Sequence, residues 1–138
     1  HPNIVATKEA SGNMSALVET LALCGDKLDV YSGNDDQVVP LMALGGKGVI
    51  SVLSNIAPRA THELAVKFLE GDVEGSRKLQ IAYSALISAL FSDVNPIPVK
   101  EAMNMMGLQV GPCRLPLAPM ADAAKENLRA QMQKMGLL

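Results

Sequence analysis

Tryptophan is absent from this 138-residue chain and aromatic residues make up only 3% of it, so any core must be built from aliphatic side chains, alanine and eight methionines. Cysteine is nearly as scarce. Cys24 and Cys113 lie far apart and belong to no CxxC or Cys/His cluster, and reduced thiols fit a cytoplasmic protein. Neither sign of charge dominates, with 12 basic residues against 14 acidic ones and a formal net charge of −2. That balance leaves no electrostatic footprint for nucleic acid or an anionic membrane. No apolar run is long enough to span a bilayer, and no signal peptide is recognisable. The first residue is His1 rather than methionine, so a processed chain or part of something longer is expected.

What is there is a globular composition, 49% hydrophobic and 19% charged, at a length that suits one ordinary domain with a real core. Three strand-like runs stand out, at residues 3 to 8, "LDVYSG" at 28 to 33, and "KGVISVL" at 47 to 53. The last has the β-branched look of a fully buried strand. After the first run Asn13 or Ser15 offers a helix N-cap, Leu17, Val18 and Leu21 form a stripe, and Gly25 is a stop. After the second, a helix over about 36 to 44 ends at Gly45 and Gly46. Strand and helix alternating at this interval is the rhythm of parallel βα units, which makes the chain α/β.

Beyond the third run only helical periodicity remains. "PRATHELAVKFLEGD" carries Leu64, Ala65, Phe68 and Leu69 at helical spacing, and a long second helix is expected through Leu79, Tyr83, Leu86, Ile87 and Leu90. "NPIPVKEAMNMMG" starts a third near Pro98 and stops at Gly107, and a last helix runs through roughly 120 to 135. Three parallel strands are too few to close on themselves, because a barrel needs eight strands and about 250 residues. An open sheet of three leaves two edges exposed, one of them bearing Val49, Ile50 and Val52. The pattern is that of the back part of a larger architecture.

The chemical candidate is Lys8, in "IVATKEASGN". Period-two alternation puts Ile4, Ala6 and Lys8 on one face of the first strand. An ammonium there either snorkels to water or pairs with Glu9, or it is held for chemistry. In the chemical reading, apolar neighbours disfavour the charged form and leave a nucleophilic amine. Such an amine converts a ketone to an imine, and the adjacent carbon can then lose a proton to give an enamine.

Other residues carry bland readings. Cys24 is expected as a small core residue and Cys113, in a proline-containing loop, has no role assigned. His62 belongs on the surface of a polar helix. Asp35 and Asp36 are adjacent and so poorly placed for one metal ion. Gly45, Gly46 and Gly48 fit no phosphate-binding fingerprint and suit a tight helix-to-strand turn. Met103, Met105 and Met106, with Val99, read as core of the helical part.

Four stretches resemble successive motifs of the dihydrodipicolinate synthase family, in that family's order and spacing. They are "HPNIVATKEASGN", "YSGNDDQVVPLMALGGKGVISVLSNIAP", "NPIPVKEAM" and "RLPLAP". The resemblance runs from His1 to Leu138, and the wider group is the lysine-dependent pyruvate aldolases, which includes N-acetylneuraminate lyase. It implies the C-terminal part of a (β/α)8 TIM barrel, about strands six to eight, followed by a helical domain. Residues 1–57 would be the last three βα units, and 58–138 the barrel-closing helix and the helical domain.

The implied activity is condensation of pyruvate with aspartate semialdehyde in lysine biosynthesis through diaminopimelate, with no cofactor and no metal. The implied assembly is a homotetramer or a pairing with an N-terminal half. By the same resemblance Lys8 would form the Schiff base with pyruvate, and Ile50 would offer its backbone carbonyl nearby. Gly33 and Asn34, followed by Asp35, would line the aldehyde side of the pocket. Asn34 departs from the acidic residue of the family's motif, although an amide still donates and accepts hydrogen bonds. The family's carboxylate-binding threonines, tyrosine relay, arginine and lysine-feedback site lie in the half not matched, so no residue here is assigned to them. Two other readings stay open: another pyruvate-dependent class I aldolase, and a non-catalytic fragment active only with the missing half.

Overall fold

The computed structural model describes all residues, His1–Leu138. In chain order its strands are β1 (Ala6–Glu9), β2 (Asp29–Ser32) and β3 (Gly48–Val49). Its helices are α1 (Met14–Cys24), α2 (Val38–Ala43), α3 (Pro58–Leu69), α4 (Val73–Ala82), α5 (Ser84–Leu90), α6 (Ile97–Met105) and α7 (Asp122–Lys134). The strands form one parallel sheet in the order β1-β2-β3, as the alternation of strand and helix predicts.

Local chemistry explains the first helix well. Asn13 is extended and its side-chain oxygen accepts the N–H groups of Ser15 and Ala16 at 3.0 and 3.1 Å, which satisfies two donors that the helix itself leaves open. Gly25 ends the helix at a φ of +54°, a conformation that favours a residue without a Cβ. Of the two cap candidates, Asn13 is therefore the one used.

Contacts divide the chain into two units, one of residues 1–51 and 63–80, the other of 52–62 and 81–138. In the first, Leu17, Val30 and Leu41 form one apolar cluster, joining α1 and α2 to the centre of β2. Val38, Met42 and Leu64 form another, with Val49, Ala65, Phe68 and Leu79 packed on it. Ser76 is fully buried here and its hydroxyl donates to the Leu64 carbonyl at 2.7 Å, which ties α4 to α3. In the second unit, Leu86, Ile87, Leu90, Ala102, Leu128 and Met132 belong to a larger aliphatic core, with Met103, Met105 and Met106 packed against it beside buried Val99. Methionine fills the irregular gaps that aromatics would otherwise occupy.

Three expectations are corrected. The run 47–53 is strand only at Gly48–Val49, and it passes into a 3-10 turn at Leu53–Asn55. It pairs with β2 alone, so hydrogen bonding sustains it on one edge and the fully buried ladder is not formed; Ile50 is 49% exposed. The single helix through Leu79 and Leu90 is two, interrupted at Tyr83. Its apolar stripe serves two separate cores, Leu79 in the first unit and Leu86, Ile87 and Leu90 in the second. Cys24, on the last turn of α1, is half-buried and belongs to none of the core clusters.

Candidate active site

Parallel register brings the candidate residues to one edge of the sheet. Glu9 stands opposite Ser32, and Ser32 opposite Val49, so the three strands finish level. The ladder continues one residue further. The Gly33 N–H donates to the Glu9 carbonyl at 2.6 Å and the Ile50 N–H to the Ser32 carbonyl at 2.8 Å. Lys8, Gly33, Asn34 and Ile50 therefore sit together at the carboxyl ends of β1, β2 and β3, where α/β sheets place their ligands.

Alternation within β1 holds as the sequence predicts, with a consequence for Lys8. Ala6 and Lys8 lie on the open face, whereas Thr7 and Glu9 are half-buried. Ile4 and Val5, just before the strand, are exposed. The apolar surroundings expected around the amine are thus not assembled by these residues, since Ala6 and Lys8 are both exposed. Glu9 is engaged elsewhere: its carboxylate accepts the Ser11 N–H at 2.6 Å. Hydrogen bonds from the Ser11 hydroxyl and backbone hold that carboxyl below the ordinary range. Glu9 consequently belongs to the turn after β1, on the face away from Lys8.

Gly33 stands beside the lysine stem. A Cβ built there would lie 2.8 Å from Lys8 Cε, 2.5 Å from the Ala10 Cβ and 3.1 Å from the Glu9 carbonyl oxygen. Asn34 is held by its backbone. Ser32, itself buried, donates its hydroxyl to the Asn34 carbonyl at 2.8 Å and accepts the Asn34 N–H at 3.2 Å. A Cβ built on Gly12 would lie 3.9 Å from the Asn34 side-chain nitrogen, and the Gly12 carbonyl accepts from Gln37 Nε2 at 3.3 Å. Asp35 is buried and Asp36 exposed, so the adjacent carboxylates occupy different environments. No group of three or more His, Cys, Asp or Glu side chains is close enough to hold a metal ion.

Two residues at this edge were not singled out by the sequence reading. Tyr31 lies opposite Lys8 on one side and Gly48 on the other, so the three share a face. Alternation within "LDVYSG" carries that signal, since Val30 and Ser32 are the buried pair. Ser32 matters through its hydroxyl, and no periodicity marks a side chain that bonds its own backbone two residues on.

The architecture is that of an α/β chain with an exposed lysine and a tightly packed glycine side by side at the carboxyl edge of its sheet. The chain belongs to the dihydrodipicolinate synthetase family, whose model matches residues 1–135. It is similar to the 4-hydroxy-tetrahydrodipicolinate synthase of Lachnoclostridium phytofermentans, 58% identical over 136 residues, covering 99% of this chain and 46% of that protein. The enzyme of the same name from Acetivibrio thermocellus is 54% identical with the same coverage. Among solved structures, the dihydrodipicolinate synthase of Thermotoga maritima superimposes with a TM-score of 0.94 at 40% identity, over 99% of this chain and 47% of that one. The Acinetobacter baumannii synthase, solved in complex with pyruvate, gives 0.92 at 38% identity, over 99% and 47%. The chain therefore spans about half the length of the relatives it matches.

Proposed function

We propose that this chain is the C-terminal portion of a class I, Schiff-base-forming synthase that condenses pyruvate with aspartate semialdehyde in lysine biosynthesis. Residues 1–57 would supply the last three βα units of a (β/α)8 barrel, and residues 58–138 the closing helix and the helical domain. The observation that carries the reading is the level finish of three parallel strands, which gathers Lys8, Gly33, Asn34 and Ile50 at one edge within a family-wide match.

In this reading the neutral Lys8 amine attacks the keto carbon of pyruvate. Loss of water leaves a protonated imine between Nζ and that carbon. The imine draws electrons from the neighbouring methyl carbon, which gives up a proton and becomes an enamine. The enamine carbon then bonds to the aldehyde carbon of the semialdehyde, and water later releases the product from Nζ. Gly33 leaves the lysine stem room to reach the substrate, Ile50 offers its backbone carbonyl, and Asn34 contacts the aldehyde substrate.

Burial of the amine, carboxylate binding and proton relay need groups beyond these residues, supplied by an N-terminal half in the same polypeptide or an associated one, and by a homotetramer. The two unpaired thiols, Cys24 and Cys113, support a cytoplasmic setting. No helix is long and apolar enough to cross a membrane. The names of the relatives favour this synthase over an N-acetylneuraminate lyase-like activity.

The test is to incubate the barrel-length protein with pyruvate and borohydride and map the reduced adduct by mass spectrometry. A pyruvyl group on Lys8 is expected; an unmodified Lys8 would sink the reading. A verified 138-residue preparation is expected to show no turnover, because effective positioning requires the whole pocket. Full activity from it would refute the half-site account.

A further inference from the structure

We propose that Gln80, on α4, is a positioning residue that sets the loop carrying Asn34 and so tunes affinity for the aldehyde substrate. The inference rests on the function proposed above. Gln80 is half-buried and divides its amide between two points of one segment. Its Nε2 donates to the Asp35 carbonyl at 2.7 Å, and its Oε1 accepts the Val39 N–H at 3.2 Å.

Both bonds fall where neither the 3-10 turn Asp35–Gln37, which follows Asn34, nor α2, which begins after Gln37, carries a side-chain cap of its own. Val39 lies in the first turn of α2, where an N–H has no partner within the helix. Gln80 therefore acts as a cap supplied from another helix. On the other side, Ser32 holds both the N–H and the carbonyl of Asn34. Asn34 is thus fixed between a clamp inside β2 and a clamp from α4, and only the second lies outside the motif that bears the candidate site.

An amide is suited to this task because it offers a donor and an acceptor without charge. Leucine at position 80 has similar bulk and offers neither. Glutamate keeps the acceptor for Val39 and loses the donor to Asp35.

The experiment compares Gln80→Leu and Gln80→Glu with the unsubstituted barrel-length protein by amide hydrogen exchange and steady-state kinetics. In Gln80→Leu the Val39 amide is expected to exchange faster while the Leu17 amide, bonded to the Asn13 carbonyl, does not change. KM for aspartate semialdehyde should rise up to about tenfold, the scale of one or two lost hydrogen bonds. KM for pyruvate and the rate of adduct formation on Lys8 should stay within about twofold, since neither bond touches the lysine. Gln80→Glu should retain most of the Val39 protection and show a smaller rise. Unchanged Val39 exchange in Gln80→Leu would overturn the clamp. Faster exchange with an unchanged aldehyde KM, or an equal loss for both substrates, would overturn the positioning role. A missing pyruvate adduct in the unsubstituted protein would instead overturn the aldolase function and with it the substrate assigned to Gln80; the exchange data would read the clamp separately.

Discussion

Gly33 and Lys8 are steric partners: a single methyl on Gly33 would stand 2.8 Å from the lysine's Cε. The same methyl would press on the Ala10 Cβ at 2.5 Å, an atom with no flexible arm to swing aside. The backbone at Gly33 is not in the positive-φ region, so alanine there is excluded by crowding alone. Gly33→Ala is expected to cost about 1–3 kcal/mol of stability, the usual penalty of overpacking. It should also slow pyruvate adduct formation on Lys8 by displacing the lysine stem. Chemical denaturation and timed borohydride trapping check the two effects, and adduct formation at the original rate would contradict the steric pairing.

Lys8 contributes chemistry rather than stability in this account. Its side chain is exposed, and surface substitutions of that kind fall within about 0.5 kcal/mol. Lys8→Met should therefore leave the unfolding midpoint close to that of the unsubstituted protein while abolishing the pyruvate adduct. Lys8→Arg should abolish it as well, because a guanidinium stays protonated and forms no imine. Retained adduct chemistry in either variant would move the nucleophile to another lysine.

The two units should respond to substitution through different cores. Leu128 on α7 is completely buried in the core that includes Leu86, Leu90 and Met132, so Leu128→Ala is expected to cost about 2–5 kcal/mol. Ser76→Ala removes only the hydroxyl that donates to the Leu64 carbonyl and should cost about 1 kcal/mol. Denaturant unfolding ranks the two, and an equal or reversed order would argue against the tight packing around Leu128.

Acid should expose one surface pair. Glu74, in the first turn of α4, accepts Arg77 Nε and Nη2, each at 2.8 Å. Mainly through these hydrogen bonds, then through attraction to Arg77 and Lys78, its carboxyl falls from an ordinary 4.5 to about 2. A depressed carboxyl stabilises the fold wherever the unfolded chain would bind the proton more tightly. The advantage over Glu74→Gln is therefore complete above pH 4.5, shrinks as pH falls, and is gone below about pH 2. Both side chains are exposed, so it should be small and weaken with salt. Thermal unfolding of the two proteins across that range gives the comparison; a difference that grows toward low pH would contradict the pairing.

Much of this was legible in the sequence because it is periodic or local. Asn13 as a cap, Gly25 as a stop and the buried Leu17 follow from spacing along one helix. The placing of Lys8 on the face opposite Thr7 and Glu9 follows from period two. Ile50 was legible as part of the third strand-like run, but not that the strand itself stops just before it, at Val49. The run "KGVISVL" has the composition of a buried strand, and composition is silent on whether a second strand is present to pair with it. By spacing Tyr83 is one position in a continuous stripe, because helical spacing does not reveal that Leu79 and Leu86 serve different cores.

The sequence by itself determined the α/β order, the parallel rhythm and the lysine in "KEASGN", since each depends on residues within a few positions of one another. Tertiary structure alone decided that three strands finish level, that Gly33 stands beside Lys8, and that Gln80 reaches Asp35 from 45 residues away. The physical reason is range. Helix and strand preferences are written in neighbouring residues, whereas a side chain that caps a distant backbone needs only one amide in the right place, and a single glutamine has no period.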